Sequence, residues 1–215
     1  MSGAAAVGGQ EFWDERYGGS ERIWSGAPNA QLVREVAGLA PGAALDLGSG
    51  EGGDAIWLAG LGWRVTAVDI SPVALERAAR HAEEAGVGAR IEWQRHVLGE
   101  TFPEGSFDLV SAQFLHSYGD FPRERILRRA AGAVAPGGVL FIVGHAGWAP
   151  WQEAAGDVDT DVHFATPDEV LAGLRLEEGA WDVLRADEHE RVQEDAEGNE
   201  AKRTDNAVLV RRLPV

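Results

Sequence analysis

The run Ala44-Leu45-Asp46-Leu47-Gly48-Ser49-Gly50-Glu51-Gly52-Gly53-Asp54-Ala55-Ile56-Trp57-Leu58-Ala59 constrains this chain more than any other stretch. Its first residues are small and apolar, the profile of a strand buried on both faces. Glycines follow, and then a helical pattern begins. Strand, glycine turn and helix in that order predict a parallel α/β sheet. In such sheets ligands bind beyond the carboxyl ends of the strands, and a glycine turn lets the backbone approach them closely. The next strand, Arg64–Asp69, ends in a carboxylate 19 residues after Gly50. An acid at roughly that spacing meets the two hydroxyls of a ribose. The stretch reads as a nucleoside-cofactor site.

Charge then selects among cofactors. Gly48, Gly50 and Gly53 satisfy G-x-G-x-x-G, which by itself is a weak match. A dinucleotide would set its pyrophosphate at the helix N-terminus, where backbone N–H groups favour negative charge. Here Asp46, Glu51 and Asp54 crowd that turn, and a carboxylate near a phosphate costs on the order of 1–4 kcal/mol. S-adenosylmethionine carries a sulfonium and an ammonium and no phosphate, so carboxylates attract it. The balance favours S-adenosylmethionine over NAD.

Asp46-Leu47-Gly48-Ser49-Gly50-Glu51-Gly52, followed by Val68-Asp69-Ile70-Ser71, resembles the first two motifs of the class I S-adenosylmethionine-dependent methyltransferases. Phe107-Asp108-Leu109-Val110 and Leu127 with Val134-Ala135-Pro136-Gly137-Gly138-Val139-Leu140 resemble their later blocks. The similarity runs from about residue 12 to the C-terminus, and within the family the chain is most similar to the small-molecule branch of tellurite-resistance and thiopurine-type enzymes. The resemblance implies a single Rossmann-like α/β domain with a seven-stranded, mostly parallel sheet, helices on both faces and an antiparallel last strand. It also implies that Asp46 and the Gly48-Ser49-Gly50 turn hold the methionyl end, with Trp24, Asp54 and Gln113 beside it, Asp69 on the ribose and Ile70 near the adenine. The family usually has an acid after the third strand to accept from the adenine amine. This chain has His96-Val97-Leu98 there, with Val97 in the acid's place. A backbone carbonyl, the His96 ring, or apolar contact with Ile70, Val97 and Leu98 remain as substitutes, and a lost acceptor weakens binding by about 1 kcal/mol.

The remaining composition narrows the partners. A length of 215 residues fits one α/β domain. The absence of cysteine excludes disulfides, thiolate metal sites and a cysteine nucleophile. The longest strongly apolar run, Val139 to Val143, is far short of the ~20 residues that span a bilayer. The first ten residues lack the basic start of a signal peptide and are expected to be a disordered tail ahead of a domain over 11–215. The expected setting is the cytoplasm, as a monomer or homodimer, without membrane partners. A formal charge of −16 argues against nucleic acid, which demands a basic footprint. Arg123, Arg125, Arg128 and Arg129 share one helix but read as its solvated face.

Along the chain, residues 11–40 are expected to form a helical lid. Phe12, Trp13, Arg16 and Tyr17 fall at helical spacing, and an aromatic such as Trp24 can stabilise a sulfonium. The residues after the strand Phe107–Ser111 face the switch point of the sheet, which makes His116 the first candidate base. His145, after the strand Val139–Val143, is the second, and either can take a proton near neutral pH. Residues 146–165, carrying Trp148 and Trp151, are expected to be a loop on the substrate side. With Trp13, Tyr17 and Tyr118 these aromatics are candidate walls for a small methyl acceptor. Asp157, Asp159 and Asp161 are spaced like part of a calcium loop but lack its glycine and distal glutamate, so no metal is expected. Thr166-Pro167-Asp168-Glu169 forms a capping box. Trp181–Val192 and Ala207–Leu213 read as a closing hairpin with an acidic, exposed loop between them. The alternatives to methyl transfer are a non-catalytic S-adenosylmethionine sensor or interaction module and, more weakly, a nicotinamide oxidoreductase.

Overall fold

The computed structural model describes residues 8–156, 162–194 and 198–214. Seven strands share one sheet: β1 (Ala43–Leu47), β2 (Arg64–Asp69), β3 (Ile91–Arg95), β4 (Phe107–Gln113), β5 (Val134–His145), β6 (Trp181–Glu194) and β7 (Glu200–Arg212). Their order is β3-β2-β1-β4-β5-β7-β6. The first five strands pair in parallel, and β7 lies antiparallel between β5 and β6. The order reverses between β1 and β4, which places the switch point above Asp46 and Ser111, partners in register.

Helices cover both faces: α1 (Gln10–Gly18), α2 (Ala30–Val36), α3 (Gly53–Gly60), α4 (Pro72–Glu84), α5 (Arg123–Gly132), α6 (Pro150–Ala155) and α7 (Pro167–Leu174). Alternate residues of the central strands feed two cores, as a sheet buried on both sides requires. Leu45, Leu47, Val110, Leu140 and Ile142 pack with Ile126 and Leu127 of α5 and Val170 and Leu174 of α7. On the other face Ala44, Leu109, Phe141 and Val143 pack with Leu32 and Val36 of α2 and Ala55 and Leu58 of α3. The start signals hold. Asn29 and Ser71 cap α2 and α4 through their side chains, Pro72 and Pro167 sit in first turns, and Thr166 and Glu169 form a capping box.

Four differences from the expected elements have physical causes. The apolar spacing predicts a helix over 123–135, ahead of a turn at Pro136-Gly137-Gly138. The helix stops at Gly132, because Ala133 O accepts from Phe107 N (2.9 Å) and Val134 already pairs with Phe107. The strand β5 therefore runs through Pro136-Gly137-Gly138, with a register shift between Phe107 and Leu109. Within 146–165, Pro150 in a first turn and Gly156 in a left-handed cap delimit the short α6, so this stretch is not wholly a loop. Helix α1 begins at Gln10, ahead of the expected domain start, and Gly8 is already held by Ser117 Oγ (3.1 Å). Last, β7 begins at Glu200 rather than Ala207, which turns most of the supposed acidic connection into paired strand. Asp157, Asp159 and Asp161 lie outside the described residues. Among the described residues no helix is long and apolar enough to cross a membrane.

Candidate active site

After β1 the chain turns through Gly48, Gly50 and Gly52, with φ of 74°, 50° and 86°. Gly48 N and Ser49 N both donate to Val68 O, at 2.8 and 2.9 Å, which ties the turn to β2. A Cβ on Gly50 would stand 2.9 Å from the Tyr17 hydroxyl and 3.5 Å from Trp24 Nε1, so only glycine fits beneath this roof. The roof is held in turn by Trp24 Nε1 donating to Tyr17 Oη (3.3 Å) and by Trp13 Nε1 donating to Ser117 Oγ (3.1 Å). Asp69, at the end of β2, accepts from Gly50 N and Ser71 N, both at 2.9 Å. One carboxylate thereby fixes both the glycine turn and the entry to α4.

Three carboxylates meet here, and among the described residues no cation pairs with them. Asp46 is buried, and its Oδ2 has no hydrogen-bond partner. Burial, followed by the charges of Asp54 and Asp69, pushes its pKa well up. Burial pushes Asp54 up to about 6 despite the bond it accepts from Asn29 N (2.6 Å). Burial also raises Asp69 against three backbone donors. Ser49 Oγ and Gln113 Oε1 are further buried polar atoms without partners. Such orphans are rare unless a ligand completes them. A cationic, phosphate-free nucleoside fits this set of donors and acceptors, and a pyrophosphate does not. Glu51, expected among the attracting acids, is otherwise engaged. It pairs with Arg77 (2.6 Å) and accepts from Ile23 N and Trp24 N, at 3.0 and 2.9 Å. Burial raises its pKa, but these bonds outweigh that and hold it down. Glu51 anchors the roof and leaves three acids for a ligand.

On the adenine side the expected residues divide. Ile70 and Val97 are half-buried beside β2 and β3, whereas Leu98 packs into the core. His96 is not free as an acceptor. Its Nδ1 faces Thr101 Oγ1 and its Nε2 faces Gln94 Oε1, both at 3.0 Å. Helix α1 closes this side, with Asp14 Oδ1 accepting from Ser71 Oγ (2.5 Å) and Gln10 accepting from Arg95.

Across the switch point lies a different cluster. Phe114 ends β4 in a left-handed conformation (φ 51°), uncommon for a bulky residue and a recurrent mark of functional sites. The bend puts Leu115 against Gly48 and carries His116 over to His145, the two rings stacked 5.4 Å apart. Phe114 packs on His145 at 4.5 Å. His145 Nδ1 lies 2.9 Å from Oδ1 of Asp205, which is fully buried on β7, and Arg191 Nε of β6 donates to Asp205 Oδ2 at 2.6 Å. Burial raises the Asp205 pKa, but the bonds from His145 and Arg191 outweigh it and keep the carboxylate ionised. An ionised carboxylate only accepts, so the His145 proton sits on Nδ1 and the lone pair on Nε2. Burial pushes His145 down, partly offset by Asp205. His116 keeps part of its surface open to solvent although protein crowds the ring. Withdrawal from bulk water, then Arg123, His145 and Arg203, push it down to about 3.

The structure thus brings His116, His145 and Phe114 together with Arg123, which was expected on a solvated helix face and instead turns inward to Leu115 O. It also brings in Asp205, Arg191 and Arg203, absent from the sequence expectations. Their one legible signal is the alternation Arg203, Asp205, Ala207, hidden because the strand was expected to start at Ala207. Of the aromatic candidates, Trp13 and Tyr118 cluster with Phe12 at the rim, and Tyr17 roofs the glycine turn instead of the acceptor side. Trp148 stands edge-on to Phe164, and Trp151 lies half-buried in α6.

Order of strands, glycine turn and acid-lined floor define a Rossmann-like nucleoside-binding domain. Residues 44–138 match a family described as a methyltransferase domain. The ribosomal protein L11 methyltransferase of Pelotomaculum thermopropionicum is 38% identical over 147 residues, 67% of this chain and 43% of that protein. The chain thus spans less than half the length of this curated relative. A solved structure described as concerning "conversion of a disulfide bond into a thioacetal group during echinomycin biosynthesis" is 28% identical, with a TM-score of 0.74 over 95% of this chain and 91% of the other. TehB from Haemophilus influenzae shares the fold at 18% identity, with a TM-score of 0.67 over 94% of this chain and 66% of that one. Residues 44–138 thus carry a methyltransferase domain on a Rossmann-like fold, and S-adenosylmethionine is the cofactor that such a domain takes.

Proposed function

We propose that this protein transfers the methyl group of S-adenosylmethionine to a small-molecule acceptor, with His145 as the base. The observation that carries the cofactor half is the trio Asp46, Asp54 and Asp69, drawn together without a paired cation among the described residues. Asp46, Ser49 and Gln113 would hold the methionyl end, Asp69 the ribose, and Ile70 with Val97 the adenine, beneath Tyr17 and Trp24. When bound, the cofactor supplies a methyl group on a sulfonium that a nucleophile displaces in line. The protein's main contribution is position, which in such reactions is worth ~7–11 kcal/mol. His145 Nε2 accepts the acceptor's proton, Asp205 holds the ring in the required tautomer, and Arg191 holds Asp205. Burial keeps His145 neutral, with its Nε2 lone pair free. His116, expected as the first candidate base, is pushed down to about 3 and is too weak a base to take a proton near neutral pH.

A small acceptor is supported by the −16 charge, which repels a phosphate backbone, and by α1 lying across the mouth through Trp13 and Ser117. It is supported too by the 28% identical structure, which belongs to echinomycin biosynthesis. Incubation with methyl-labelled S-adenosylmethionine and a panel of phenols, amines and thiols tests the reading. It requires S-adenosylhomocysteine to form with at least one acceptor and to be lost in His145→Ala. Binding without turnover across the panel would favour a sensor.

A further inference from the structure

The acceptor side holds more positive charge than the proposed base needs. Arg191 is engaged by Asp205, the carboxylate that also serves His145. Arg123, at the start of α5, donates from Nε to Leu115 O (3.1 Å), while its Nη2 is buried without a partner. Arg203 donates from Nη2 to Gly147 O (3.2 Å), and its Nε is likewise buried and unpaired. Neither arginine takes part in an ion pair among the described residues. Arg191 and Arg203 also face each other directly across β6 and β7, and like charges so placed destabilise a sheet. Burial lowers the pKa of both Arg123 and Arg203.

A chain with 35 acids and 19 lysines and arginines has no shortage of carboxylates to pair with them. Leaving buried guanidinium arms unanswered is costly, so the arrangement calls for an anion from outside. The free arm of Arg123 reaches the histidine pair. A Cβ built on Gly144 would lie 3.1 Å from Asn206 Oδ1, 3.3 Å from Arg123 Nη2 and 3.6 Å from His116 Cε1. Glycine at 144 therefore lets the free guanidinium arm approach the backbone beside the histidine pair. Arg123 and Arg203 both act on His116, so their charges overlap at this ring. The rings of Phe114, His116 and His145 pack together beside that arm.

We propose that the methyl acceptor is a small aromatic carboxylate, its acid group held by Arg123 and Arg203 and its nucleophilic atom turned towards His145. The proposal rests on the methyl-transfer reading above and names the substrate class for that same site. A guanidinium fork matches a planar carboxylate through paired N–H donors. A positive basin inside an otherwise negative surface concentrates anions at the spot where they react. The incoming charge also relieves the cationic pressure on His145, so substrate binding strengthens the base that acts on it.

The test uses full-length protein saturated with S-adenosylhomocysteine, titrated with benzoate, salicylate, 4-hydroxybenzoate and anthranilate and with the amide of each. At least one acid is expected to bind about tenfold or more tightly than its own amide. Arg203→Gln and Arg123→Gln should erase that gap while leaving affinity for S-adenosylhomocysteine unchanged. The lysine variants, which keep the charge but lose the fork, should retain part of it and serve as the comparison should a glutamine variant fail to fold. A loaded enzyme that binds no acid better than its amide, or a gap that survives both substitutions, overturns this proposal alone. A wild-type protein that does not bind S-adenosylhomocysteine overturns it together with the methyl-transfer reading.

Discussion

The two sides of the switch point are built from opposite charge and by opposite means. On one side Asp46, Asp54 and Asp69 come from a single stretch of about 25 residues, and their partners are backbone N–H groups of the same stretch and of Asn29. On the other, His116, His145, Arg191, Arg203 and Asp205 come from the segment after β4 and from β5, β6 and β7, and only the sheet brings them together. The first side suits a ligand that is positive and fixed. The second suits one that varies, since a distal hairpin can change its side chains without disturbing the turn.

If the two sides divide the work, their mutations should separate. The largest effect is expected for Asp205→Asn or His145→Ala, which should lower methyl transfer by about 10²–10⁴-fold in single-turnover assays and leave the cofactor Kd unchanged. A Kd that moved with the rate would merge the two sides. Asp69→Ala is expected to weaken S-adenosylmethionine by about 10–100-fold, the range for lost hydrogen bonds to a charged group, as read by calorimetry. Acid should come next. Asp54 titrates at about 6 in the free protein, and a cationic ligand favours its ionised form. Binding therefore releases protons and weakens as pH falls through about 6, by roughly tenfold at pH 5. Calorimetry in buffers of different ionisation enthalpy reads the released proton directly. The smallest effect is expected for His96→Ala, because both ring nitrogens face Thr101 and Gln94. Its cofactor Kd should stay within about threefold.

The same division explains what could be read from the chain. The glycine turn, Asp69 and the parallel order of β1 to β5 were legible because each depends on local pattern: an apolar strand, a turn requiring positive φ, a capped helix. Glu51 misled because its charge is visible in sequence while its partner, Arg77, lies 26 residues away on α4. His96 misled in a similar way, since its captors Gln94 and Thr101 look like ordinary surface residues. The Asp205 pair with His145 spans 60 residues. It depends on β7 running antiparallel to β5 in one register, and nothing in the local sequence around Arg203 or Asp205 announces that. The left-handed Phe114, which swings His116 into place, was also hidden, because a bulky residue there breaks the local preference.

The account stands on the acid-lined glycine turn having been shaped for a positive nucleoside without phosphate. Parallel calorimetric titrations of S-adenosylmethionine and NAD into the wild-type protein address this most directly. Saturable heat with S-adenosylmethionine, abolished or much weakened in Asp69→Ala, and none with NAD, is the expected result. Tight binding of NAD, or no heat with S-adenosylmethionine, would contradict it.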